Sequence, residues 1–110
     1  MMKIPMSAAA SGLLRALLAR AAVPRDRILL TEFRSVDWQS LTFVGERHEI
    51  RLRIPAPGAG EIALRLSEGL SDAEFRIPGQ IVADIAVVGD LSPDEDGSIG
   101  IDIEALTIAE

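Results

Sequence analysis

From Glu74 to Asp90 the chain reads EFRIPGQIVADIAVVGD, with apolar residues or glycine at every second position: Phe75, Ile77, Gly79, Ile81, Ala83, Ile85 and Val87. Alternation with period 2 over this length predicts a strand with one face on a core. A slip of one residue would turn the whole set to the wrong side, so this stretch constrains the register of its neighbours. A chain of 110 residues built around such a strand must supply partner strands and a covering layer.

The covering layer comes first. Ser7 precedes AAASGLLRALLARAA, where Leu13, Leu14, Leu17, Leu18 and Ala21 recur at helical spacing. Ser7 is the expected N-cap, and Pro24 ends the helix by forcing Val23 out of the α region. Residues 1–6 carry no pattern and are expected to be disordered. Arg15 interrupts the apolar run, which argues against a secretory signal, and the run is too short to span a bilayer. The absence of acids through Arg25 also fits an organelle transit peptide or a weak interfacial helix. A core-facing helix is the reading adopted, because a sheet with an apolar face follows.

Ile28 to Val36 is rich in β-formers, with Leu29, Thr31 and Phe33 assigned to one face and Ile28 and Leu30 to the other. Asp37-Trp38-Gln39-Ser40 is read as a turn, and Leu41 to Ile54 as the second strand. Its apolar phase moves from Leu41 and Phe43 to Val44, His48, Ile50, Leu52 and Ile54, which predicts a bulge near Gly45. After Pro55-Ala-Pro-Gly-Ala-Gly60, the segment EIALRLSEGL fits a helix (Ile62, Leu66, Leu70) or a strand (Ile62, Leu64, Leu66). Good helix formers and Gly69 as a C-terminal cap favour the helix. The last strand, Ile99 to Ile108, changes phase after Ile103, predicting a second bulge near Ala105.

The expected fold is therefore α+β, a single two-layer domain over 1–110 with order α-β-β-α-β-β. A four-stranded antiparallel sheet carries helices on one face; the alternative has one N-terminal helix and five strands. This order is a circular permutation of the ferredoxin-like one, an analogy of topology that carries no function.

Charge is segregated. Residues 1–55 hold nine basic side chains against five acidic, and residues 56–110 hold two against twelve, for a net charge of −6. The two halves are read as counter-charges within one fold, with the basic second strand beside the acidic fourth. Arg47, Arg51 and Arg53 should then face Asp84, Asp102 and Glu104 on the outer side of the sheet. Asp84 is further expected directly opposite Asp102 or Glu104. Such a carboxylate pair can do acid–base chemistry inside a cleft, but a sheet face patterned with arginines is read as an ion ladder.

No chemistry-bearing motif emerges. The chain has no cysteine, which excludes disulfides, thiolate ligands and cysteine nucleophiles. Its single histidine, His48, excludes a histidine-rich metal site within one chain, and is read as hydrogen-bonded at the core margin, with a general-base role as the alternative. Ser92 to Ile103 imitates a calcium loop but places isoleucine where a bidentate glutamate is needed. Four aromatic residues are too few for a base-stacking surface. The expectation is a non-enzymatic, cofactor-free cytoplasmic module, with an open sheet face or edge strand for self-association or a protein partner. Val82, Ala86 and Val88, apolar on the outer face, motivate it. No metal, nucleic acid or integral membrane segment is expected. Alternatives are a ligand pocket near His48 and Asp84, or peripheral membrane or nucleic-acid association through the N-terminal half. Ten arginines against one lysine suggest a GC-rich bacterial genome.

Overall fold

The structure is a computed structural model, described here over residues 6–110; the expected disorder of 1–6 falls almost wholly outside them. Helix α1 (Ala8–Ala21) begins where Ser7 Oγ accepts from the Ala10 N–H, and it ends at Ala22 in the left-handed region. Ser7 also donates its hydroxyl proton to Glu46 at 2.7 Å, which ties the start of the helix to the sheet.

Strands β1 (Leu29–Gln39) and β2 (Val44–Ile54) form a hairpin; α2 (Ala59–Ser67) follows, then β3 (Gln80–Val87), the two-residue β4 (Ser92–Pro93) and β5 (Ile99–Ala109). The sheet is antiparallel, ordered β1-β2-β5-β3, with β4 on the β5 edge beyond β3. The fold is α+β as expected, with 61–67 helical and β2 beside β5. Helix α1 packs on α2, and α2 on β5 and β2. The core joins Leu13 and Leu17 of α1, Ile62 and Leu66 of α2, and Ile50, Leu52, Ile54, Ile85, Ile101 and Ile103 of the sheet.

Several expected boundaries and bulges are corrected. The turn is not at 37–40: β1 runs on to Gln39, and the chain reverses between Ser40 and Phe43, where the Ser40 N–H donates to the Phe43 carbonyl at 2.9 Å. Leu41 and Phe43 therefore belong to an exposed tip, and their parity says nothing about the strand. Glycine at 45 marks no bulge. A Cβ there would lie 1.9 Å from the Thr107 carbonyl oxygen, so this residue allows β2 and β5 to approach closely. The β1 irregularity lies at Thr31, which puts Leu30 and Phe33, opposite Leu52 and Ile50, on one face.

β5 has no break at Ala105; its odd residues from Ile101 to Thr107 are all buried. The break lies in β3 instead, at Ala83. The organising strand is thus shorter than its alternation implied. Residues 74–79 form a strap beside α1, with Ile77 buried through the loop and not through the sheet. Past the bulge Ile85 and Val87 face inward, but before it Val82 does, while Ile81 points outward.

Candidate functional site

Cross-strand pairing orders the outer face as rungs running from β1 to β3. The first complete rung is Glu32–Arg51–Asp102, which Val88 extends through its N–H to the Asp102 carbonyl. Then come Arg34–Glu49–Glu104–Ala86, Val36–Arg47–Leu106–Asp84 and Trp38–Gly45–Ile108–Ile81. The face is charged at one end and largely apolar at the other.

Arg51 is the hub of the charged end. Its Nε donates to Asp102 Oδ1 at 2.6 Å and its Nη1 lies 3.5 Å from Glu32 Oε2. Hydrogen bonding to Asp102, and then the charges of Asp102 and Glu32, push the guanidinium pKa up. Arg53 turns instead to the β4–β5 loop, donating to Asp94 at 2.7 Å and Asp96 at 3.1 Å. Asp96 also accepts from the Ser98 hydroxyl at 2.6 Å and the Ser98 N–H at 3.0 Å. These Ser98 hydrogen bonds are the main reason its carboxyl pKa lies below the usual range, with Arg53 adding to them. The segment resembling a calcium loop is therefore an arginine-closed turn.

Asp84 corrects the ladder. The connection between β3 and β5 sets a register that runs unbroken from Val87 to Asp84, so Asp84 sits opposite Leu106 and not opposite Asp102 or Glu104. On the outer face the facing carboxylates are Glu49 and Glu104, a pair that parity within the last hairpin could not reveal because Glu49 belongs to the first. Asp37 and Glu46 face each other within that first hairpin. Arg34 lies beside Glu49 on the same rung. Arg47 lies between Val36 and Leu106 with no ion-pair partner among the described residues.

His48 lies on the opposite, inner face and is almost wholly buried. Its Nδ1 is 2.8 Å from Ser35 Oγ and its Nε2 2.8 Å from Thr107 Oγ1, a polar row across β1, β2 and β5. In the neutral ring one nitrogen donates to one hydroxyl and the other accepts from the second, so both are satisfied. Burial lowers the histidine pKa, and Glu46 only partly opposes that shift. None of the three principal cavities has His48 or Asp84 in its wall.

The edge of β1 differs from the rest of the sheet. The Ser40–Phe43 hydrogen bond closes the hairpin, so Trp38–Gly45, Val36–Arg47 and Arg34–Glu49 are the hydrogen-bonded pairs. Phe33, Ser35, Asp37 and Gln39 then direct their N–H and C=O groups away from β2. On β1 only Phe33, Ser35 and Trp38 are partly covered. Leu29 (46% exposed) and Leu30 (38% exposed) are open on the two sides of the strand, so it overhangs the helical layer.

Comparison with protein-family models, curated proteins and solved structures yields no match. Among the described residues no acidic or histidine cluster could hold a metal, and no helix is long and apolar enough to cross a membrane.

Proposed function

We propose that this chain is a non-enzymatic interaction module that self-associates by antiparallel addition of β1 to the β1 of a second copy. The observation that carries the reading is the overhang: an eleven-residue edge strand, open on both faces, without proline or lysine. Natural sheets usually blunt such an edge with lysine, proline or cover, because its unpaired backbone groups template another strand. β1 carries Glu32, Arg34 and Asp37 but neither lysine nor proline. The opposite edge is shorter and is broken near its middle at Ala83, whereas the Thr31 irregularity of β1 leaves Glu32 to Gln39 in one register.

The strand is self-complementary. A two-fold through Val36 sets Val36 against its copy and Asp37 against Ser35. It also sets Arg34 beside Trp38 of the second copy, a cation–π arrangement. Two apolar outer-face ends would then merge across the axis, and the outward N–H and C=O groups of Ser35 and Asp37 would be paired.

Sedimentation equilibrium tests the reading. The parent chain is expected to be dimeric at tens of micromolar, and Asp37→Pro monomeric with unchanged circular dichroism. Proline at 37 removes an outward donor without touching the β2 ladder. A parent that stays monomeric at high concentration, or a proline variant that dimerises as well as the parent, refutes it.

A further inference from the structure

Ten arginines occupy the described residues, and their partners divide them in two groups. Arg20 donates to the Leu66 and Glu68 carbonyls, Arg27 to those of Pro55 and Pro57, and Arg65 to that of Ala21. Arg51 and Arg53 pair with acids. The side chains of Arg15, Arg25, Arg34, Arg47 and Arg76 have neither hydrogen-bond nor ion-pair partner among the described residues. Three of these five, Arg15, Arg25 and Arg76, line a single cleft of about 530 Å³ between α1 and the 74–79 strap.

No acidic residue lines that cleft, although the chain as a whole carries a net charge of −6. Its wall is otherwise apolar, with Leu18 and Val23 at one side and Ile77 at the other. The helix contributes small residues, Gly12 and Ala16. Gly12 sets the geometry: a Cβ there would lie 2.6 Å from Ile77 Cγ2, so only glycine lets the strap close this far onto α1. A volume of this size suits a small molecule.

We propose that this cleft binds a small amphiphilic anion, a phosphate or carboxylate head on a short apolar body. The head would be met by Arg15, Arg25 and Arg76, and the body would lie against Leu18, Val23 and Ile77. Guanidinium groups match oxyanions with paired N–H donors and cost less to desolvate than ammonium groups. An inorganic anion would leave the apolar wall uncovered. A membrane surface could not follow a concave floor of small residues, and a nucleic acid would find no aromatic ring in the cleft to stack on.

Titration of the full chain with octyl phosphate below its micellar concentration, followed calorimetrically at low salt, tests the assignment. Saturable binding with one site per chain is expected, with inorganic phosphate and octanol each weaker by roughly tenfold or more. Replacing all three arginines with glutamine should weaken octyl phosphate by roughly tenfold, while Arg25→Gln alone, in an exposed turn, should cost about two- to fivefold. Arg47→Gln, an equally unpartnered arginine outside the cleft, should bind as the parent does. Failure of octyl phosphate to bind, or unchanged binding in both the triple and the single variant, overturns the proposal. So does equal affinity for inorganic phosphate. Co-flotation with phosphatidylserine-containing vesicles without binding of soluble octyl phosphate overturns it too, in favour of a lipid surface. The result is independent of self-association, which is read from sedimentation.

Discussion

β1 and β5 are both eleven-residue strands rich in β-formers, and they have opposite fates. β5 is flanked by β2 and β3 and lies under α2, so Ile101, Ile103, Ala105 and Thr107 are all buried. β1 has one neighbour and little overhead, and its inward-facing Phe33 and Ser35 are only partly covered. The difference lies in position and not in propensity: a strand is buried to the extent that other elements reach it. The same contrast divides the polar groups. Thr107 and His48 are sealed inside, while Ser35 completes their row from the exposed strand.

The largest expected effect breaks the contrast at its apolar extremes. Leu52→Ala removes a fully buried side chain and should cost about 2–5 kcal/mol in urea unfolding. Val36→Ala on the overhang should cost less than about 0.5 kcal/mol when measured on the monomer. Comparable losses at both positions would mean that β1 is covered in solution.

The next effect is polar. Thr107→Val keeps shape but leaves His48 Nε2 buried without a partner, an expected loss of about 1–3 kcal/mol. Ser35→Ala should cost less, because water can reach Nδ1 through the partly exposed strand. Equal losses would place both hydroxyls in the same environment.

The smallest effect is a pH dependence. Burial holds the folded His48 pKa below its ordinary 6.5, against the charge of Glu46. Between the folded value and 6.5 the unfolded chain therefore binds more protons than the folded one. The stabilising contribution is complete above about pH 6.5 and declines as pH falls below it, by at most about 1.4 kcal/mol per pH unit. Urea midpoints from pH 8 to pH 5 should show this decline relative to a His48→Gln variant, in which this component is missing. Identical pH profiles for parent and variant would refute it.

Much of the layout was legible because it rests on local chemistry. Ser7 caps a helix wherever its hydroxyl can reach an N–H three residues on, and Gly69 takes a positive φ just beyond α2. Charge segregation pointed to β2 and β5 as neighbours, and Arg51 meets Asp102 directly. Bulges were not legible. Thr31 and Ala83 interrupt the ladder without glycine or proline to mark them, whereas Gly45 imitates a bulge because its close approach is to another strand. Nor was the register across the long β3–β5 connection legible; it sets Asp84 against Leu106, one rung past Glu104.

The amino-acid order alone determined the α+β class, the element order, and which two strands would share a charged border. These follow from side-chain periodicity and from the sum of charge on each segment, both of which are carried by neighbours in the chain. Tertiary structure alone decided that His48 would join hydroxyls 13 and 59 residues away, that five arginines would find partners while three others gathered at one cleft, and that β1 would project past the helices. Each of those outcomes depends on how far α1 and α2 extend over the sheet and on where register slips, distances set by packing between segments remote in sequence.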